Sequence, residues 1–272
     1  MTRRWQFNIQ TFNTMRERLS FYIDRDSFIH RLNPLTKLTL VFTLIILSFL
    51  GLSFWLPTIL FLFVIIPLSF LGKVSREFFN ATVKLLLPVV GFLFVMQAFF
   101  HPDGSTELFH IWIFDVTVGS VKFAYLTASR ILTMVASFLI LLLTTHPSDL
   151  MSDLTRRGVP GNLSYVITSS LQIIPQMQAK AATIIDAQRS RGMETTGNLF
   201  KRAKALVPLV GPLVFGSLVE VEERAIAIEA RAFTSPLKKT SLREIQDTTA
   251  ERWTRWLFVV LVIVAIGLRI WL

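Results

Sequence analysis

Two arginines set among small residues carry the clearest binding chemistry in this chain. One lies in Ala187-Gln188-Arg189-Ser190-Arg191-Gly192, the other in Ala227-Ile228-Glu229-Ala230-Arg231-Ala232. In the triplets Ser190-Arg191-Gly192 and Ala230-Arg231-Ala232 the flanking side chains let another backbone come close while the guanidinium reaches past them. Its planar fork of five donors suits a carboxylate on such a partner better than lysine would. Cations also favour helix ends because of the helix dipole, which accounts for either arginine taken singly. The recurrence of the pattern at the ends of two successive helices points instead to docking on a two-lobed partner at one face of a membrane.

Chemistry of other kinds lacks its residues. None of the 12 glycines opens a G-x-x-x-x-G-K-[ST] loop, and there is no G-x-S-x-G or H-E-x-x-H pattern. With 0 cysteines, disulfides, thiolate catalysis and cysteine-ligated metals are excluded. The histidines His30, His101, His110 and His146 are scattered. His101 and His110 share a loop with Asp103 and Glu107 and read as solvated residues rather than a metal site. The expectation is no enzyme, no catalytic residue, no metal and no cofactor.

The elements that must position the arginines are those of an all-α integral membrane protein. The chain is 52% apolar, with 24 Phe and 17% charged residues, against about 45–50% and 25% in a soluble domain. The apolar residues fall in blocks of bilayer length. Leu38–Phe54, Leu56–Leu71, Leu85–Phe100, Val121–Thr145 and Trp256–Leu272 are the candidate spans, about five transmembrane helices. The arm before the first span carries Arg3, Arg4, Arg16, Arg18, Arg25, Arg31 and Lys37, and the loop 72–84 carries Lys73, Arg76 and Lys84. The loop 101–120 carries no Lys or Arg. The positive-inside rule therefore makes the N-terminus cytoplasmic. The net charge of +10 reads as cytoplasmic loops facing anionic headgroups, not as nucleic-acid binding. No short apolar core with a cleavage site follows Arg3 and Arg4, so no cleavable signal peptide is read.

Three regions follow: 1–145, an arm and four spans; 146–252, a cytoplasmic segment of amphipathic helices; and 253–272, the last span. Within the middle region, Pro147 and Asp149 fit a helix start after His146. Arg156-Arg157-Gly158-Val159-Pro160 reads as a helix end. A helix from Leu163, kinked at Pro175, runs to Arg191, with Gly192 as its cap. Its apolar positions Val166, Ile167, Leu171, Ile174 and Met177 recur at helical spacing. A further helix runs from about Leu206 to Arg231. Its stretch Leu206–Val221 is expected to be a buried, kinked helix packed against the bundle or near the interface, rather than a sixth span. Arg130, inside the fourth span, is costly there. It reads either as a tie between helices or to a partner, or as snorkelling toward the outer interface.

The sequence resembles the transmembrane component of energy-coupling factor transporters, the EcfT/CbiQ-like proteins of prokaryotic vitamin and transition-metal uptake. The resemblance begins at Ser27-Phe28-Ile29-His30-Arg31-Leu32-Asn33-Pro34-Leu35-Thr36-Lys37 and continues through Leu143-Thr144-Thr145-His146-Pro147-Ser148-Asp149-Leu150 and Ile173-Ile174-Pro175. It ends at Ala187–Gly192 and Glu222–Phe233. It implies a non-catalytic scaffold in a prokaryotic cell membrane. Arg191 and Arg231, each in an Ala-Arg-Gly-like triplet, would each insert into one of two ABC-type ATPase subunits. The membrane helices and apolar helix faces would hold a small substrate-binding membrane subunit. ATP would be hydrolysed in the partners. Two departures stand out: Ser190 and Ala232 replace residues of the usual triplet, and Asn33 stands where the family often has Asp, still able to cap a helix. Alternatives of other classes are an intramembrane enzyme, which would need a polar cluster in the spans, and a self-contained secondary carrier, which would need inverted repeats.

Overall fold

The computed structural model describes residues 25–100, 107–111, 114–192, 199–233, 235 and 247–271. The arm before Arg25, His101 and Asp103, the link residues 193–198 and the connector before Asp247 lie outside the described residues, as does the side chain of His110. Among the described residues the helices are α1 (Phe28–Arg31), α2 (Pro34–Leu50), α3 (Leu56–Leu71), α4 (Ser75–Phe100), α5 (Val118–Thr144), α6 (Pro147–Arg156), α7 (Gly161–Ser190), α8 (Leu199–Ala230) and α9 (Thr249–Trp271). The chain is an all-α membrane protein, with helices over all five apolar segments. α4, α5 and α9 are long and apolar enough to cross a bilayer, and α2 and α3 are shorter apolar helices.

Local chemistry explains the helix boundaries. Asn33 caps α2 by accepting from the Leu35 amide at 2.9 Å, with Pro34 in the first turn. Gly51, at φ 69, ends α2 three residues before Phe54, in the left-handed region that suits glycine. α5 starts at a reciprocal box, Thr117 Oγ1 accepting from the Ser120 amide and Ser120 Oγ from the Thr117 amide. α6 starts at His146, whose Nδ1 accepts from the Ser148 amide at 3.2 Å, with Pro147 and Asp149 in its first turn.

Two wide turns interrupt the membrane helices, at Phe61–Ile65 in α3 and Thr82–Leu86 in α4. Each lies just before a proline, Pro67 or Pro88. The ring of a helical proline clashes with the carbonyl four residues back. Ile66 and Leu87 instead donate five residues back, to the Phe61 and Thr82 carbonyls, a π-bulge that makes the room. The helix of the third span therefore starts at Ser75, ten residues before the Leu85 expected, and turns through what read as a basic loop.

α5 is the hub of its unit, packed against α2, α3 and α4, and α9 packs on α2. Its inward face is small or hydroxylic: Ala124, Ala128, Ser129, Thr133, Ala136 and Ser137 are buried, which permits the close helix approach on which membrane packing depends. Thr133 Oγ1 donates to the Pro57 carbonyl at 2.9 Å, and Thr58 pairs with the Tyr125 hydroxyl at 2.6 Å. Hydroxyls elsewhere in the spans turn back on their own helices, as Thr43 to Thr39 O and Thr144 to Ile140 O, leaving few polar groups to be satisfied in hydrocarbon. The core joins Leu44, Ile65, Val74, Phe78, Ala136, Ile140 and Leu143. Outside the helices, a short antiparallel hairpin pairs β1 (Glu107–Ile111) with β2 (Phe114–Thr117), in register His110 to Asp115.

The chain divides into two compact units. One holds the membrane helices with α6, from Arg25 to Val159 and again from Asp247. The other, from Pro160, holds α7 and α8. α7 continues through Pro175 and α8 through Pro208 and Pro212.

Candidate docking site

α7 and α8 pair antiparallel within their unit. Gln176 faces Arg224 at 3.4 Å, Met177 faces Ser217 at 3.4 Å and Lys180 forms an ion pair with Glu220. Near the start of α7, the Tyr165 ring lies 5.1 Å from that of Phe233, just past the end of α8. An antiparallel pair places its two C-terminal ends at opposite extremes. Arg231 therefore lies near Tyr165, and Arg191 lies 26 residues further along α7, roughly 40 Å at about 1.5 Å per residue.

The two triplets share one backbone geometry. Arg191 is the cap residue of α7, and Gly192 follows at φ 89, donating to the Arg189 carbonyl at 3.0 Å. Arg231 occupies the same place after α8. Ala232 follows at φ 55, donating to Glu229 O at 2.9 Å, while Phe233 donates to Ile228 O at 3.2 Å. This is the Schellman ending, whose left-handed residue is normally glycine. Ser190, Arg191, Gly192, Ala230, Arg231 and Ala232 are all exposed. Among the described residues neither Arg191 nor Arg231 makes a side-chain hydrogen bond or ion pair, whereas Arg189 engages Asp186 at 3.5 Å. The third residue of each triplet stands where the backbone turns left-handed, a place that favours glycine and disfavours bulky side chains.

That geometry gives a direct test of the departure at the second triplet. An L residue in the left-handed region costs about 1 kcal/mol relative to glycine. Ala232→Gly is expected to stabilise the end of α8 by about that amount, and Gly192→Ala to destabilise the end of α7 similarly. Amide hydrogen exchange at Phe233 would read the first change; unchanged protection there would contradict it.

Leu206–Val221, expected to be a buried, kinked helix packed against the bundle or near the interface, forms part of α8 in the second unit. Among the described side chains of that stretch only Leu209 is buried, while Val207, Val210, Phe215, Leu218, Val219 and Val221 are exposed, Phe215 at 71%. On α7 no residue is buried, and Leu163, Val166, Leu171 and Ile174 are exposed. An apolar face of this kind is suited to cover by lipid or by a partner.

Arg130 sits in the other unit, its guanidinium against Gly51 at the end of α2: a Cβ on Gly51 would stand 3.1 Å from Nη2. Its Nε is buried and has no hydrogen-bond partner among the described residues. The end of α2 is the negative pole of that helix, which offsets part of the cost of the charge. Arg130 is not brought together with Arg191 or Arg231 in one unit.

A polar cluster that sequence reasoning missed lies at one end of the membrane helices. Asp247 accepts from Arg255 at 2.6 Å and from Arg157 at 3.2 Å, with Arg252 at 3.8 Å. Arg255 also donates to Thr36 Oγ1 at 3.2 Å, and Glu251 accepts from the Asn33 amide at 2.8 Å. Burial alone would raise the Asp247 carboxyl, but the hydrogen bond from Arg255 and the charges of Arg255, Arg157 and Arg252 outweigh it and hold the group below the ordinary carboxylate value. A signal existed: Thr248-Thr249-Ala250-Glu251 has the spacing of a capping box before an apolar run, and Glu251 Oε2 accepts from the Thr248 amide at 3.2 Å.

These features define a helical membrane protein that carries an antiparallel helix pair with, at either end, an exposed arginine that makes no side-chain hydrogen bond or ion pair among the described residues. Residues 25–242 match the CbiQ family, described as cobalt transport protein. The energy-coupling factor transporter transmembrane protein EcfT of Limosilactobacillus fermentum is 30% identical over 235 residues, 82% of this chain and 86% of that one. The EcfT protein of Streptococcus equi is 31% identical over 85% of this chain and 90% of its own length, and that of Leuconostoc gelidum 28% identical over 92% and 96%. The chain belongs to the CbiQ family, that of the EcfT-like transmembrane components of energy-coupling factor transporters. Its relatives are named as membrane components of transporters rather than as enzymes.

Proposed function

We propose that this protein is the scaffold of an energy-coupling factor importer in a prokaryotic plasma membrane, N-terminus cytoplasmic, and that Arg191 and Arg231 each dock into one of two ABC-type ATPase subunits. The observation that carries this reading is the pair of exposed guanidiniums, without side-chain partners among the described residues, at opposite ends of one helix pair roughly 40 Å apart. A spacing of that size suits two separate soluble subunits better than one small groove. Each cap leaves its helix's last carbonyls and a small residue around the arginine, so a partner's acidic groove can close on the guanidinium with little steric cost.

The exposed apolar faces of α7 and α8 fit a second kind of partner, a small membrane subunit that carries the substrate, with lipid covering the rest. Closure of the ATPase pair on ATP then changes the positions of the two helix ends and reorients that subunit. ATP hydrolysis belongs to the partners, and so does the choice among vitamins and transition-metal ions. Purification of the tagged protein from native membranes in mild detergent, with mass spectrometry of what co-elutes, tests the reading. ABC-type ATPases together with a small membrane protein support it; recovery of the chain alone overturns it.

A further inference from the structure

Arg130 stands on α5 at the level where α2 stops. Its Nη2 lies against Gly51, and the turn 51–55 carries the chain back into α3. A second tie fixes that level in the membrane. Lys37 Nζ donates to Thr144 O at 2.8 Å. Gly51 lies 14 positions after Lys37 and Arg130 14 positions before Thr144, roughly 21 Å along either helix at about 1.5 Å per residue. In a hydrocarbon core about 30 Å thick the guanidinium is therefore in the half nearer the β1–β2 hairpin. From there α5 continues 12 residues back to its start at Val118, so the α2–α3 turn forms a step beside a taller helix. The chain supplies no counter-ion for this step: α2, α3 and α5 contain no Asp or Glu. The negative pole of α2 amounts to about half an elementary charge, which leaves the site net positive. Donors and rings gather on the same turn. Among the described residues the amides of Leu52, Ser53, Phe54 and Trp55 donate to no backbone carbonyl. Phe54 stacks on Tyr125 at 5.1 Å, and Trp55, 59% exposed, meets these rings at 5.6 and 5.7 Å. Trp and Tyr take such places at the headgroup level of a bilayer.

We propose that this step is a binding site for the phosphate diester of one membrane phospholipid, held by the Arg130 guanidinium, with the amides of the turn and the Trp55 and Tyr125 rings about its headgroup. Two parallel N–H groups of a guanidinium match two oxygens of a phosphate. An ionisable group at membrane depth is kept there by a partner of opposite charge or a polar cavity, and a lipid phosphate is the anion that the bilayer offers beside lipid-facing aromatic rings. The site is independent of the docking of Arg191 and Arg231.

The test uses the full chain, delipidated in mild detergent and titrated with phosphatidylglycerol or, separately, with diacylglycerol of the same acyl chains. Thermal unfolding and native mass spectrometry read binding. Phosphatidylglycerol is expected to raise the unfolding temperature of wild type and to stay bound at one molecule per chain, and diacylglycerol to do neither. Arg130→Met is expected to unfold no lower than wild type without lipid, because an unpaired charge has left the membrane interior. Its affinity for phosphatidylglycerol is expected to fall roughly 10- to 100-fold, the worth of hydrogen bonds to a charged group. Arg130→Lys, a point charge without the fork, is expected to fall between. Equal responses of wild type to the two lipids, or equal affinities of wild type and Arg130→Met, would overturn the site. So would an Arg130→Met chain that unfolds well below wild type yet keeps the lipid response, the behaviour of a tie between helices. Inorganic phosphate alone is expected to leave unfolding unchanged; a shift as large as that from phosphatidylglycerol would overturn the assignment to lipid.

Discussion

Reversing both guanidinium charges, Arg191→Glu with Arg231→Glu, is expected to strip the ATPase subunits from the purified complex while the chain still inserts into the membrane. Truncating or reversing one partner of a desolvated interfacial charge pair costs about 2–5 kcal/mol, much of it from the charge left unpaired on the other side. At 1.4 kcal/mol per decade this is roughly 30- to 4,000-fold in affinity for each site. The helices themselves lose far less. A glutamate at a helix C-terminus opposes the dipole by about 0.3–1 kcal/mol, and both side chains are exposed. The small membrane subunit is therefore expected to stay bound when the ATPases leave. Either single reversal is expected to abolish transport with partial retention of ATPase. Quantitative mass spectrometry of the eluate reads the result, and wild-type ATPase recovery from the double variant would count against docking at these positions.

Asp247→Ala is expected to destabilise by about 1–3 kcal/mol, between the values for an exposed and a buried pair, because Asp247 is 21% exposed and Arg255 9%. Arg255 would remain, with a side chain 9% exposed, facing Arg157 and Arg252 and the neutral hydroxyl of Thr36. Asp247→Glu keeps the charge and is expected to lose much less. Arg157→Ala, at the 46% exposed edge, is expected to cost no more than about 1 kcal/mol. The pH dependence carries the same signature. The Asp247 carboxyl is held below its ordinary value, so its stabilising effect is complete above about pH 4. That effect is lost as pH falls through the lowered native value. The step in acid unfolding that belongs to Asp247 is expected to vanish in Asp247→Ala. Thermal unfolding in detergent at neutral and acidic pH measures both effects.

The parts of the fold legible in advance were those set by local chemistry. Asn33, His146 and Gly192 stand at helix boundaries for reasons of capping and backbone conformation that need no tertiary context. Five apolar blocks gave five helices because hydrocarbon leaves the backbone no other way to satisfy itself. What stayed hidden depends on partners. The early start of α4 was obscured by Lys84, which looks like a loop residue until the π-bulge before Pro88 makes the segment continuous. The hairpin at Glu107–Thr117 has the β-branched and aromatic residues of strands, but no Asn-Gly or Asp-Gly turn to announce it. The left-handed turn at Ala232 was masked because alanine is a poor marker for a conformation that glycine advertises.

The exposed face of α8 teaches the complementary lesson. Its valines and Phe215 suit burial against the bundle or a place near the interface, and among the described residues they stand exposed. A sequence encodes which surfaces must be buried; it does not say whether the burial is intramolecular. The Asp247 cluster is hidden in the sequence because Arg157 and Asp247 are 90 positions apart and meet where α6 and α9 both pack on α2.

The most direct measurement of the central claim is site-specific crosslinking. Single cysteines at Ser190 and at Ala230, in a chain with 0 of its own, would carry a short photoreactive group beside each arginine in native membranes. Each position is expected to yield an adduct with an ABC-type ATPase chain, lost in the corresponding Arg→Glu background. Adducts only with lipid or with another membrane protein at both positions would contradict the account.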